Sequence, residues 1–103
     1  MDRIKKLLEF LETNPTDAFV QHALALEYVK LGNDAAAKQL FEAILQREPN
    51  YVGSYYHLGK LLERGDNYEA AISIYETGMT EAKKVEDRHA YNELQMAKEE
   101  IEE

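Results

Sequence analysis

Hydrophobic positions recur along the chain at intervals of three and four residues, which is the spacing of one face of an α-helix. In the first such stretch Ile4, Leu7, Leu8 and Leu11 share a face, with Phe10 alongside. No stretch of useful length alternates hydrophobic and polar residues, so the pattern predicts no β-strand. It predicts six helices, at about residues 2–13, 17–31, 34–47, 51–64, 67–84 and 87–102.

Prolines and glycines mark the ends of these helices. Pro15 and Pro49 each follow a hydrophobic helical run, and a proline ends a helix because it lacks the amide N–H and clashes with the carbonyl four residues back. Gly32 and Gly65 each precede Asn and Asp residues, which predicts a glycine stop followed at once by the N-cap of the next helix. The interval between the two prolines is the length of a helical repeat unit, so the chain has an internal period.

A shift by this period aligns Leu24 with Leu58, Asn33 with Asn67, Ala36 and Ala37 with Ala70 and Ala71, and Phe41 with Tyr75. The pattern resembles the tetratricopeptide repeat family, whose repeat is a helix–turn–helix pair of about 34 residues. The first repeat supplies Leu24, Ala25, Tyr28, Ala37, Phe41 and Pro49 of the family motif. The second repeat supplies Leu58, Gly59, Tyr68, Ala71, Tyr75 and Gly78.

The resemblance covers about residues 18–85 and implies an all-α fold, an α-α superhelix of helix hairpins. We expect a single domain over residues 1–103: a leading half repeat at 1–16, full repeats at 17–50 and 51–84, and a capping helix at 86–103. The family has a proline after each repeat, but Lys83 stands at that position in the second one. The fifth helix is therefore expected to continue to about Val85.

Gly59 calls for a packing explanation, because a glycine inside a helix costs about 1 kcal/mol relative to alanine. Two packed helices lie about 8–10 Å apart, and they approach closely only where their side chains are small. We therefore expect Gly59 and Ala71 to mark the helix crossing in the second repeat, with Tyr75 beside it. Ala25 and Ala37 are expected to do the same in the first repeat.

Composition narrows the classes of function. The chain has no cysteine, which excludes disulfides, a thiolate nucleophile and cysteine-ligated metal sites. Its net charge of −8 repels a phosphate backbone, so nucleic acid is not an expected partner. Charges interrupt every hydrophobic run near the start of the chain, which predicts neither a signal peptide nor a membrane span. We expect a cytoplasmic protein that does not act at a membrane.

The sequence carries no recognisable catalytic motif. It has no glycine-rich phosphate loop, no G-x-S-x-G elbow and no H-E-x-x-H pair. Its three histidines, His22, His57 and His89, fall on three different predicted helices without the spacing of metal ligands. We therefore expect no enzyme activity, no cofactor and no metal site.

The function is expected on helix faces that packing within each repeat leaves unused. At about 100° per residue, the second helix leaves a face with Phe19, His22, Leu26, Val29 and Lys30. The fourth helix leaves Gly53, Tyr56, Lys60, Glu63 and Arg64. In the resembled family the first helices of successive repeats line a concave groove. The resemblance thus implies a groove with an apolar half and a net-basic half, suited to a peptide with an apolar anchor and an acidic group.

The leading hypothesis is a non-catalytic protein–protein interaction module, similar to small stand-alone bacterial tetratricopeptide proteins, with an unidentified protein or peptide partner. In one alternative Phe19 and Leu26 pack against the first helix, and the basic side chains are merely solvated. In another the same apolar strip is buried in a homodimer of a scaffold protein, because exposed apolar patches commonly mark interfaces. An enzyme would instead need a deep pocket with a perturbed carboxylate or histidine.

Overall fold

Six α-helices joined by short turns make up the chain in a computed structural model that describes residues 2–102. The helices are α1 (Asp2–Thr13), α2 (Ala18–Lys30), α3 (Asp34–Arg47), α4 (Gly53–Arg64), α5 (Tyr68–Lys84) and α6 (Arg88–Glu102). Each begins and ends within two residues of its predicted position. No strand occurs within the described residues, and the predicted all-α helical repeat class is confirmed.

The helices fall into two compact units, one ending at Glu48 and the other beginning at Pro49. In the first unit α2 packs against both α1 and α3. In the second unit each of α4, α5 and α6 packs against the other two. The finer division into a half repeat, two repeats and a capping helix stays a prediction.

The core of the first unit lies between α2 and α3. Ala25 on α2 and Ala37 on α3 are fully buried, as a close helix crossing requires. Larger side chains fill the space beside them: Leu24, Phe41 and Ile44 are almost completely buried. The first repeat therefore uses small residues where the sequence predicted them.

The core of the second unit explains why α4 contains a glycine. A Cβ atom on Gly59 would lie 2.1 Å from Cε1 of Tyr75, and its three nearest heavy atoms would all belong to that ring. Ala71 is also fully buried, and that Gly59 and Ala71 together mark the crossing of α4 and α5 stays a prediction. Gly59 therefore makes room for the aromatic ring of Tyr75.

A second glycine has the same role on α5. A Cβ atom on Gly78 would lie 2.7 Å from Cβ of Tyr55 on α4 and 2.9 Å from Cδ1 of Leu94 on α6. The α5 backbone is therefore in close contact with both neighbouring helices at this point. The Tyr55 side chain is buried, and its hydroxyl donates a hydrogen bond to the carbonyl of Pro49 at 2.6 Å.

Two residues of the predicted repeat motif are exposed. Tyr68 begins α5 with 49% of its surface exposed, and its hydroxyl donates to Oδ1 of Asp66 at 3.2 Å. Pro49 is also exposed. These residues help to shape the turns between helices and do not fill the interior.

The turns that follow α2, α4 and α5 each contain one residue in the left-handed region. It is Gly32 (φ 80°) after α2, but Asp66 (φ 62°) after α4 and Glu86 (φ 59°) after α5. The sequence predicted Gly65 as the stop of α4, yet Gly65 has φ −89°. Since a side chain in the left-handed region costs roughly 1–2 kcal/mol, two of the three turns are strained.

Candidate functional site

The exposed face of α2 presents apolar surface. Phe19 has 74% of its surface exposed, so the alternative in which Phe19 packs against α1 is wrong. Leu26 and Val29 on the same face are half-buried. His22 is half-buried too, with its ring edge against the core residue Phe41 at a centroid distance of 5.4 Å. The imidazole of His22 therefore takes part in packing between α2 and α3.

The positive charge of Lys30 is opposed within the first unit. Glu27 accepts hydrogen bonds from Lys30 Nζ at 3.2 Å and from Arg3 Nε at 3.0 Å. The hydrogen bond from Lys30 is the main cause that lowers the pKa of the Glu27 carboxyl. The sequence prediction counted Lys30 on this face and left out the carboxylate beside it.

Lys60 on α4 lies between two carboxylates. Its Nζ is 3.6 Å from Glu63 Oε2 and 3.7 Å from Glu100 Oε1 on α6. It is also 5.5 Å from the centroid of the Tyr56 ring, within the range of a cation–π contact. Glu63 additionally accepts a hydrogen bond from the hydroxyl of Tyr75. Lys60 is thus part of a network that joins α4, α5 and α6.

Burial has a large effect on the chemistry of Tyr75. The side chain is fully buried, and burial is the main cause that raises the pKa of its phenol well above the ordinary value. The hydrogen bond to Glu63 raises it further. The phenol therefore stays protonated and holds the Glu63 carboxylate next to Lys60.

A cleft of about 400 Å³ lies between α4 and α6. It is lined by Tyr56, His89, Asn92, Glu93, Met96, Ala97 and Glu100. Met96 has 65% of its surface exposed, whereas Ala97 is buried. The cleft therefore combines one exposed apolar side chain with a small buried one.

The sequence predicts Tyr56 as a binding residue but none of the α6 residues of this cleft, because it predicts only a capping helix there. A signal was present. His89, Glu93, Met96 and Glu100 recur at intervals of four, three and four residues, which places them on one face of a helix.

The α4–α6 cleft is acidic. Among its described lining residues Glu93 and Glu100 are carboxylates, and none is lysine or arginine. Burial is the main cause that lowers the pKa of nearby His57, and the negative charge of Glu93 acts in the opposite direction. The expected net-basic character does not hold at this cleft, because α6 contributes carboxylates and one of them pairs with Lys60. Arg64, at the end of α4, is exposed.

Two larger clefts lie along α5 and α6. One of about 630 Å³ is lined by Ala82, Lys83, Glu86, Asp87, Arg88, Tyr91 and Asn92. The other, of about 460 Å³, is lined by Glu76, Met79, Thr80, Lys83, Lys84 and Tyr91. Both are lined by basic and acidic side chains together, whereas the charged lining residues of the α4–α6 cleft include two carboxylates and no lysine or arginine.

No helix within residues 2–102 is both long enough and apolar enough to cross a membrane. Within the same residues, no three histidine, aspartate or glutamate side chains are grouped so that they could hold a metal ion.

Comparison with known proteins identifies the repeat. A family profile described as tetratricopeptide repeat matches residues 28–98. A crystal structure of a tetratricopeptide repeat domain protein from Salinibacter ruber is 43% identical, with a TM-score of 0.80 over 84% of this chain and 96% of that one. The complex of the TPR2B domain of yeast Sti1 with pHsp70 has the same fold, at 18% identity and a TM-score of 0.76 over 91% of this chain and 81% of that one.

A curated relative is the uncharacterized protein ycf37 of Pyropia yezoensis, 32% identical over 73 residues. The matched region is 71% of this chain and 41% of that protein. The chain therefore spans about two fifths of the length of the curated relative that it matches.

Proposed function

The chain belongs to the tetratricopeptide repeat family, and we propose that it binds a peptide segment of a partner protein in the α4–α6 cleft, with the exposed face of α2 as a second contact surface. The tetratricopeptide repeat fold is a protein–protein interaction module, and domains of this family are generally non-catalytic. Of the neighbours with this fold, the yeast Sti1 domain is in a complex with pHsp70. A peptide partner for this chain is the corresponding proposal.

The α4–α6 cleft is the observation that carries the proposal. It combines an exposed thioether at Met96, an aromatic wall at Tyr56 and a small buried floor at Ala97. Peptide sites typically combine an apolar pocket with a few polar groups that orient the ligand. Here the carboxylates of Glu93 and Glu100 are the orienting groups.

The α2 face is the second proposed contact surface. Phe19 supplies an exposed ring, and an aromatic side chain buries a large apolar area when a partner covers it. Leu26, Val29 and Lys30 extend this surface along the helix. That the α2 and α4 faces line one groove stays a prediction.

The proposal is tested by selecting binders from a displayed library of short random peptides and titrating them into isotope-labelled protein. We expect amide shift changes at Tyr56, Lys60, Met96 and Ala97, and weaker binding by Tyr56→Ala. Tyr91→Ala is the matched control, because Tyr91 lines the other two clefts. The proposed site would be refuted by amide shift changes confined to α5 and the region of Tyr91. It would also be refuted if Tyr56→Ala and Tyr91→Ala lost the same amount of peptide affinity.

Homodimer formation is the second candidate function, and the exposed ring of Phe19 favours it. Light scattering distinguishes homodimer formation from peptide binding by a monomer. A mass that stays near 11.9 kDa at all concentrations excludes a dimer. A doubled mass that Phe19→Ala returns to the monomer value supports a dimer and removes Phe19 from the peptide surface.

A further inference from the structure

We propose that the α4–α6 cleft selects a cationic peptide segment. Its apolar residue is flanked by two basic residues, one arginine or lysine on each side. The inference rests on the proposed function and names the chemistry of its ligand. It reverses the sign of charge that the residues of α4 alone predict for the partner. The carboxylates responsible lie on α6, and their positions follow from its packing against α4.

The spacing of the two carboxylates sets the spacing of the ligand's charges. Glu93 and Glu100 are seven residues apart on α6, which is about 10.5 Å along a helix axis. Met96 and Ala97 lie between them. In an extended peptide, residues i, i+2 and i+4 share one face, and i and i+4 are about 13 Å apart. Long basic side chains at i and i+4 can therefore reach both carboxylates while an apolar side chain at i+2 meets Met96.

Tyr56 and Lys60 indicate that this surface accepts a cation. The Lys60 ammonium already lies 5.5 Å from the centroid of the Tyr56 ring and 3.7 Å from Glu100. The Glu100 side chain has 71% of its surface exposed, so water screens this ion pair and leaves it weak. An incoming guanidinium can take over Glu100, and Lys60 then keeps its contact with Glu63 at 3.6 Å.

An acidic segment has no comparable place in the cleft. Its carboxylate would meet Glu93 and Glu100, and like charges across an interface are strongly unfavourable. Lys60 is already opposed by two carboxylates, so little positive charge is left for a third. The expected ligand therefore has the pattern basic, any residue, apolar, any residue, basic.

The test compares three capped peptides, Gly-Xaa-Ser-Leu-Ser-Xaa-Gly, in which Xaa is arginine, glutamine or glutamate. Each is titrated into isotope-labelled protein, and the dissociation constant is taken from the shift changes. We expect the arginine peptide to bind at least about tenfold more tightly than the glutamate peptide, with the glutamine peptide between them. The largest changes are expected at Tyr56, Met96 and Ala97.

A charge-matched pair of variants separates the cleft from the protein's overall negative charge. Glu93→Gln with Glu100→Gln should reduce the preference for arginine to less than about threefold. Glu69→Gln with Glu99→Gln removes the same charge from exposed residues outside the cleft lining and should leave the preference unchanged. Far-UV circular dichroism checks that both variants keep their helices.

Three results would overturn the inference: equal loss of preference in both variants, tighter binding of the glutamate peptide, or no binding of any of the three. Failure of the charge preference can be distinguished from failure of the proposed binding site. If library-selected peptides bind this cleft but are neutral or acidic, the charge preference is wrong and the binding site stands. If selected peptides bind neither this cleft nor the exposed face of α2, the proposed site is wrong.

Discussion

Replacing Gly59 by alanine tests the packing of the second unit most directly. The added methyl group would lie 2.1 Å from Cε1 of Tyr75, whereas ordinary contact begins at 3.4 Å, so the ring has to move by more than an ångström. The ring is fully buried, and its hydroxyl is held by Glu63. It therefore cannot move without displacing its neighbours.

Two opposing effects determine how much Gly59→Ala changes the free energy of unfolding. Alanine is a better helix former than glycine by about 1 kcal/mol, which favours the variant. Overpacking a filled core costs about 1–3 kcal/mol, and occasionally more. The contact is too short for a small adjustment, so we expect the upper end of that range and a net loss of about 1–2 kcal/mol. For a domain of this size, that corresponds to a fall in melting temperature of roughly 5–15 °C.

The assay is urea unfolding followed by far-UV circular dichroism, with Gly53→Ala as the matched control. Gly53 is exposed, lies at the start of the same helix, and has no heavy atom within 4 Å of its would-be Cβ. Gly53→Ala should leave stability unchanged or raise it by up to about 1 kcal/mol. Combining Gly59→Ala with Tyr75→Leu should cost about 1–2 kcal/mol less than the sum of the single changes.

The reasoning is refuted if Gly59→Ala is as stable as the wild type or more so. It is also refuted if alanine at residues 53 and 59 has the same effect, since only helix propensity would then be at work. A double variant whose loss equals the sum of the single losses would show that the strain does not arise at Tyr75.

Two further predictions concern a turn and the buried phenols. Glu86→Gly should raise the free energy of unfolding by about 0.5–1 kcal/mol, because Glu86 has φ 59° and glycine adopts that region without strain. Val85→Gly, next to it with φ −96°, should not stabilise, and a gain there in urea unfolding would contradict this account. Burial raises the pKa of Tyr55 to about 12 from 10.0, so its contribution to stability is complete below about pH 10 and is lost as the pH rises from there to about 12. Between pH 10 and about pH 12, Tyr55→Phe should lose less unfolding free energy than the wild type, measured by circular dichroism with tyrosinate absorbance alongside. If the unfolding free energy of the variant falls with pH as steeply as that of the wild type, burial of Tyr55 does not cause the loss.

The sequence by itself determined the helices and most of what lies buried in them. Helix positions follow from local spacing, because residues three and four apart share a face regardless of the rest of the chain. The same local logic identified Ala25, Ala37 and Gly59 as small residues required by close packing. It also identified the repeat, because matched helix stops recur at a fixed period.

Only the tertiary structure decided which groups meet across helices. The contact between Gly59 and the ring of Tyr75 joins two helices, so it depends on how α5 packs against α4. The left-handed residue after α4 is Asp66 and not Gly65, and in this turn the amides of Asp66 and Asn67 donate to the carbonyls of Glu63 and Leu62. Lys60 and Glu100 lie 3.7 Å apart although they belong to helices that are not consecutive in the sequence. The charge of the cleft is therefore a property of two packed helices, whereas hydrophobic spacing is a property of each helix alone.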